Sequence, residues 1–374
     1  MKKITIIGAG FGALTAARNI RKLDKNAEIT LIAPRPEFIY YPSLIWLPSG
    51  LRKAEDLRID LTKYFNKHRI KYIQGTVTGL TDKGRTVITD NGNISNDGLI
   101  IASGARFIKK LPGIEHALTI CEGIEATEKI TQRINQMDGG TIAVGFGGNP
   151  KEPTAMRGGP MFEVLFGLDT LLRRQGRRDK FEIVFFNPAP QPGKRLGEKA
   201  VTGIVREMEK RNIKTYLGHK MKSFSADKVT TEGAEFKADL ILFMPGMTGP
   251  TWLDNSDLPR SPGGLITADQ HCKIAGYQNT YVVGDTGSYP GPDWMPKQAH
   301  MADLQATTAA KNLLAEMNGN KPTHTFKIEL ACIIDTLDKG ILVFRNPQRT
   351  IVLPSKLLHH TKRLFEWAYL RKYR

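Results

Sequence analysis

Cysteine is scarce in this chain. Only Cys121, Cys272 and Cys332 occur among 374 residues, far apart and in no CxxC or other metal-ligand spacing. So few thiols in so long a chain argue against a disulfide scaffold, and no metal site is predicted. Acidic residues are also short: 37 Asp and Glu stand against 54 Lys and Arg, a formal net charge of +17. Such an excess asks for an anionic partner, whether nucleic acid, an anionic membrane surface or an acidic ligand. Nucleic acid is set aside, because the sequence has no arginine-rich tail, zinc-finger spacing or RNP-like aromatic motif. Long hydrophobic runs are missing as well. No stretch reaches the ~18 apolar residues of a membrane-spanning helix. The opening MKKITIIGAG runs at once into glycines, which reads as a core strand and not as a signal peptide.

What is present begins with a strong motif. ITIIGAGFGALTAARNIRKL is an apolar strand, a glycine turn and an amphipathic helix, and the strand EITLIA follows at βαβ distance. Gly8, Gly10 and Ala13 fill GxGxxG/A, with Phe11 and Gly12 between them. The first glycine permits the tight turn, the second lets a pyrophosphate approach the backbone, and the third position needs a small residue for helix–strand packing. The helix start then offers its partial positive charge to the phosphates. One element is absent. The second strand ends Ala33-Pro34-Arg35 where an acid should meet the ribose, and the nearest acid is Glu37.

Two later stretches extend the pattern. DGLIIASGA ends in the small-residue turn Ala102-Ser103-Gly104. NTYVVGDTGSYP ends in Gly284-Asp285, and a helix is predicted from about Pro296. Between them lies TIAVGFGGNPKEPTAMRGGPMFE. Gly145, Gly147 and Gly148 stand where a second nucleotide turn belongs, but Pro150 and Pro153 follow. A proline disfavours helix in the residue before it, so the helix is expected to start late, near Pro160. The next strand ends Asn187-Pro188, again without a ribose-binding acid. Both halves of an NAD(P)H site are weak.

This layout resembles that of two-dinucleotide-domain flavoproteins, and more specifically the sulfide:quinone oxidoreductase family, over nearly the whole chain. The resemblance runs in order through RPEFIYYPSLIWLPSGLRKAEDL, TICEGIEATEKI, LLRRQGRRDKFEIVFFNPAP, DLILFMPGMTGP, LACIIDTLDKGILVFRNP and KRLFEWAYLRKYR. Type II NADH:quinone oxidoreductase is the more distant relative. The resemblance implies an α/β protein with two Rossmann-like domains and a C-terminal membrane-docking region. The FAD domain would be split in sequence over 1–115 and 266–316, around a degenerate second domain at 116–265, with docking by 317–374. It implies one FAD, held by the turns named above, with Asp285 on its ribityl or pyrophosphate region and Lys297 approaching the ring.

The resemblance also implies electron transfer from sulfide, or another thiol-type donor, through FAD to a quinone. Cys332 matches a family redox cysteine, Asp335 a nearby acid, and Cys121 a cysteine near the flavin in some members. The remaining active-site cysteine belongs in a motif like Cys-Phe-Gly-Pro-Ala-Tyr-Glu. Here that segment reads Arg157-Gly158-Gly159-Pro160-Met161-Phe162-Glu163, with Arg157 in the cysteine's place. A family histidine is replaced near Lys194. The family chemistry needs two thiols that carry sulfur as a disulfide or persulfide, so the donor is the open point. Each residue has a plainer reading. Cys332 and Cys121 could be small buried hydrophobes, Glu163 a helix-start acid that suits the dipole, and Arg157 a loop residue. Cys272 carries no motif.

From Ser355 the chain reads SKLLHHTKRLFEWAYLRKYR. Leu357, Leu358, Leu364, Phe365 and Ala368 recur at helical spacing among Lys356, Lys362, Arg363, Arg371, Lys372 and Arg374, with Trp367, Tyr369 and Tyr373. That describes a basic amphipathic helix lying on a bilayer, and hence a peripheral membrane protein. The other reading is a helix packed on its own chain or in a homo-oligomer. Phe344, Leu353 and Phe365 are predicted contacts for a quinone tail. Two alternatives to the sulfide-type reaction stay open: NAD(P)H:quinone reduction, and a flavin-binding subunit without independent turnover.

Overall fold

The computed structural model describes all 374 residues. Two five-stranded parallel sheets dominate it. The first is built from β1 (Lys3–Ile7), β2 (Glu28–Ala33), β3 (Ile70–Gln74), β4 (Gly98–Ile101) and, much later in the chain, β10 (Thr280–Val282), in the order β10-β4-β1-β2-β3. The second holds β5 (Ala117–Leu118), β6 (Gly140–Phe146), β7 (Phe181–Asn187), β8 (Lys214–Leu217) and β9 (Leu240–Met244), in the order β5-β9-β6-β7-β8. Their strands are near-continuous apolar runs such as ITII, GLII and LILFM. Burial on both faces demands such runs, and parallel sheets covered by helices provide that burial. The first sheet thus closes only after the chain has completed the second, which gives the mixed α/β, Rossmann-like architecture of a split FAD-binding domain.

Six helices have ten residues or more: α1 (Phe11–Leu23), α2 (Ile124–Gln136), α3 (Gly159–Arg174), α4 (Glu198–Lys210), α5 (Ala299–Met317) and α6 (Leu357–Leu370). α1 packs along α5 through small side chains, Ala13, Ala16 and Ala17 against Ala302, Ala306, Ala309 and Ala310, all buried. The helix expected from Pro296 begins three residues later, because Gln298 is still extended at φ −134°, ψ 156°. The helix expected near Pro160 starts at Gly159.

The last region is an antiparallel sheet of β11 (Leu330–Asp335), β12 (Gly340–Arg345) and β13 (Thr350–Ser355), on which α6 packs. Here one expectation is corrected. Leu358, Tyr369 and Tyr373, read as part of a lipid-facing set, are buried against the protein. Lys362, read as a surface charge, turns inward onto Glu163. The outward stripe is narrower: Leu357, Leu364, Phe365 and Trp367, joined by Ile351 and Leu353 of β13. These are six of the nine large exposed hydrophobics in the chain, the others being Met1, Leu23 and Tyr41. No helix is long and apolar enough to cross a membrane.

Candidate active site

The first site element is the turn after β1. The Gly8 N–H donates to Ile32 O at 2.8 Å while its φ is +109°, and an added Cβ would lie 2.4 Å from Ala102 O. Only glycine tolerates both demands. Gly10 caps α1 without a side-chain hydrogen bond, no acid occupies the first helical turn, and nothing lies within 4 Å of where its Cβ would be. A Cβ on Gly12 would press on Val283 Cγ2 at 2.9 Å, so this position seats α1 against the strand carrying Gly284. Ala13 is fully buried. The Phe11 side chain turns away into an aromatic cluster, 4.8 Å from Phe38 and 5.6 Å from Tyr369 between ring centroids.

The other expected FAD segments converge on this turn. Ala102 N–H donates to Ile7 O at 2.9 Å, Thr286 Oγ1 donates to Gly104 O at 2.8 Å, and Gly284 N–H donates to Gln305 Oε1 at 2.8 Å. Ser103 Oγ accepts from Trp252 Nε1 at 3.3 Å. Gly104 has φ +74° and open space beside it. α5 also starts without a side-chain cap, and the buried Gln298 Oε1 has no hydrogen-bond partner. Two uncapped helix starts, open glycines and an unpaired polar atom fit a dinucleotide with its diphosphate at the helix ends. A small recess beside them is lined by Gly284, Asp285, Lys297 and Gln298, among others. Glu37 is part-buried and pairs with Arg35 at 3.3 Å.

Asp285 pairs with Arg157. Burial opposes the Arg157 charge, but Asp285 and the neighbouring Cys121 outweigh it and hold the guanidinium protonated. Burial likewise pushes the Cys121 thiol up, with Arg157 pulling it back. Lys297 is buried, donates to Gly287 O, and lies 5.6 Å from the Tyr289 ring centroid. Its pKa is lowered by burial to about 8, against Asp285 and Glu152. Lys194 is exposed, and its neighbour Arg195 turns inward to Met156 O at 3.2 Å and to Met295 O. Sequence reasoning missed Arg195, since nothing in a short basic turn marks which side chain points in.

Cys332 lies on β11, its Sγ 3.8 Å from where a Cβ on Gly159 would be. Burial raises this thiol to about 12; Glu163 adds to the rise and Lys362 opposes it. Glu163 accepts the Asp335 N–H at 2.9 Å and pairs with Lys362. Burial raises its carboxyl to about 7, with Lys362 pulling it down. Asp335 is fully buried, faces His359 Nδ1 at 2.8 Å and accepts Leu337 N–H at 2.7 Å. All three cysteines are free. Cys121 sits by Arg157 and Cys332 by Glu163 and Lys362, while Cys272 is buried against Gln305 O.

The predicted quinone contacts divide. Leu353 and Phe365 are exposed, on elements that pack together, whereas Phe344 is part-buried under Arg349 at 5.8 Å. The inner stripe of α6 went unrecognised. His359, Lys362, Glu366, Tyr369 and Tyr373 recur every three or four residues and all engage the body. Glu366, for instance, holds Ser43 at 2.5 Å and Arg52 at 2.7 Å. That spacing was the available signal.

Comparisons with known proteins agree with this geometry. Residues 2–306 match the family model described as pyridine nucleotide-disulphide oxidoreductase. The full chain is similar, at 27% identity over 399 aligned residues and 91% of that protein, to the sulfide-quinone reductase of Aquifex aeolicus. The X-ray structure of the sulfide:quinone oxidoreductase from that bacterium superposes with a TM-score of 0.90 at 25% identity, covering 100% of this chain and 92% of the other. A type II NADH:quinone oxidoreductase of Staphylococcus saprophyticus is 25% identical over 87% of this chain and 85% of its own length.

Proposed function

The chain belongs to the pyridine nucleotide-disulphide oxidoreductase family, and on that premise we propose that this FAD-dependent oxidoreductase passes electrons from sulfide or another thiol-type donor to a quinone at a membrane surface. The observation that carries the proposal is the surroundings of α3. Its start faces the Cys332 thiol, and twelve residues, 147–158, separate it from β6 where the first sheet has only three before α1. FAD, when bound, supplies the capacity to accept two electrons and pass them on.

The chain's own residues divide the remaining work. Gly8, Gly10 and the two helix starts hold the diphosphate. Lys297 and Arg157 place cations beside the ring region, and Arg157 stays charged at any working pH. Cys332 acts only as a thiolate. Glu163, on the helix whose start faces Cys332, is the base proposed for the thiol proton. With Arg157 in place of a cysteine, Cys121 or an incoming thiol must supply the second sulfur. The outward apolar stripe of α6 and β13, among basic residues, supports docking on an anionic bilayer, where each basic residue contributes about 1 kcal/mol.

Likeness to a type II NADH:quinone oxidoreductase favours a second reading, in which NADH is the donor. A third is a flavin-binding subunit that turns over only with a partner. Anaerobic mixing with sulfide, small thiols, NADH and NADPH, followed by quinone, separates the three. Sulfide or thiols should bleach the flavin, and quinone should restore it. Rapid bleaching by NADH alone would install the second reading, and bleaching by nothing the third. Docking is tested by replacing Leu357, Leu364, Phe365 and Trp367 with serine. Flotation with anionic vesicles should be lost, and persistent flotation would sink the docking assignment. Truncation at Ser355 is unsuitable, because it also removes the inward Lys362 pair and the buried Tyr369 and Tyr373.

A further inference from the structure

Four ionisable side chains from three elements close a buried ring next to Cys332. Glu163 of α3 takes the Asp335 N–H and pairs with Lys362 of α6, and Asp335 of β11 faces His359 of α6. Both Asp335 oxygens are engaged, by His359 Nδ1 at 2.8 Å and by Leu337 N–H at 2.7 Å. A carboxylate that holds one imidazole nitrogen fixes the tautomer and leaves the other nitrogen to exchange protons. The bond to Asp335 is the only hydrogen bond the His359 ring makes, so Nε2 is without a protein partner.

A second observation marks the same wall. Trp46 packs edge-on against His359 at 6.2 Å between ring centroids. It is fully buried, and its indole N–H has no acceptor. Buried donors are nearly always paired, so a spare N–H beside a free imidazole nitrogen points to a ligand that brings acceptor oxygens. Arg52 and Lys362 stand 5.3 and 5.6 Å from the indole centroid, each paired with a carboxylate, Glu366 and Glu163. The His360 ring, 5.3 Å from His359, is exposed. Leu357, Leu364 and Phe365 continue outward on the same helix as an apolar face.

We propose that His359, oriented by Asp335, donates a proton to a carbonyl oxygen of the quinone. The inference rests on the quinone reading above. A quinone that gains two electrons in that reaction must also gain two protons. One moves from Nε2 of the doubly protonated His359 ring to one oxygen, leaving the neutral Nδ1–H tautomer that Asp335 holds, and the ring regains that proton from water by way of His360. The other oxygen takes its proton directly from water at the headgroup level. Asp335 is the positioning residue.

The test uses two variants and two acceptors. His359→Asn keeps a donor where Nδ1 meets Asp335 and deletes Nε2. His359→Gln places an amide near Nε2 that can hydrogen-bond but cannot give up a proton. The flavoenzyme is reduced with dithionite and mixed with decylubiquinone or with ferricyanide, which accepts electrons without protons. Reoxidation by decylubiquinone should slow about 100-fold or more in His359→Asn, the range of a lost general acid. It should stay slow in His359→Gln, with little change in the quinone concentration at half-saturation, while ferricyanide reoxidises both variants at the wild-type rate. Equal slowing with both acceptors, or wild-type rates with quinone, would overturn the proposal. If the wild-type enzyme itself is not reoxidised by decylubiquinone, the quinone reading fails and takes this inference with it.

Discussion

After β1 the chain runs three residues, 8–10, before α1 begins; after β6 it runs twelve, 147–158, before α3 begins. The two sheets around these turns share one plan, β3-β2-β1-β4-β10 and β8-β7-β6-β9-β5, so the strand order reverses beside β1 and β6 alike. That reversal opens the crevice in which such folds bind ligands. In the first sheet the crevice is kept open, with free space beside Gly10. In the second it is filled. Asn149 Nδ2 donates to Met247 O and Gly263 O, each at 2.9 Å, and a Cβ on Gly246 would meet the Gly148 backbone at 2.3 Å. Phe146, Phe162 and Phe185 pack together at 5.4 to 6.0 Å beneath. Topology therefore sets where a site can form, and the spacer decides what reaches the helix start: solvent-side space at α1, the Cys332 thiol at α3.

The largest expected effect breaks the open turn. Gly8→Val forces a branched side chain onto a φ of +109° and into Ala102 O, so the protein should purify without flavin. The ratio of flavin to protein absorbance checks this, and a full complement of flavin would contradict the placement of the cofactor. Gly10→Val is the cleaner partner. Its added Cβ meets no protein atom within 4 Å, so the melting temperature of the flavin-free protein should barely move while flavin affinity falls at least tenfold.

A smaller effect tests the closed helix start. Glu163, expected in the first turn of α3, lies beyond it as the fifth helical residue, and burial raises its carboxyl to about 7 from the ordinary 4.5. Between those values the folded chain keeps a proton that the unfolded chain has released. Stability from this group is therefore highest below about pH 4.5 and falls as pH rises to 7. The loss is on the order of 1–3 kcal/mol, since a tenfold difference in proton affinity between folded and unfolded chain is worth about 1.4 kcal/mol. Denaturant titrations from pH 5 to 8 should show that descent in the wild type and a flatter curve in Glu163→Gln. Parallel curves would mean that Lys362 keeps the carboxylate charged throughout.

Legibility followed locality. Gly8, Gly10 and the late start of α3 could be read because turn chemistry and proline act on adjacent residues. The division of α6 into two faces could not. Its inward residues find partners far off in sequence: Lys362 meets Glu163 199 residues away, and His359 meets Asp335 24 residues away. A basic residue that pairs internally has the same letter as one that faces lipid, so the pattern overcounted the docking charge. Asp285 shows the same limit. The motif placed it at the cofactor, while the cation it pairs with, Arg157, lies 128 residues earlier, in the segment whose cysteine is missing.

The smallest effect is the most exacting test of the comparison. Gly148 occupies the second turn at the place where a nucleotide turn would need a glycine. Yet an added Cβ would meet only Met156, at 3.7 Å, an ordinary contact, and its φ is not in the left-handed region. If the twelve-residue spacer has taken this turn out of nucleotide binding, nothing there requires glycine. Gly148→Ala should then leave flavin content and donor-driven bleaching unchanged. It should alter stability by less than about 1 kcal/mol, with a gain expected where the alanine backbone is accommodated. Gly8→Ala, by contrast, should already be severe, because its Cβ meets a backbone oxygen that cannot withdraw. A thermal melt and a flavin ratio on both alanine variants decide the matter. Comparable damage from the two would mean that the second turn still holds a ligand through its backbone, and that the closed crevice opens in solution.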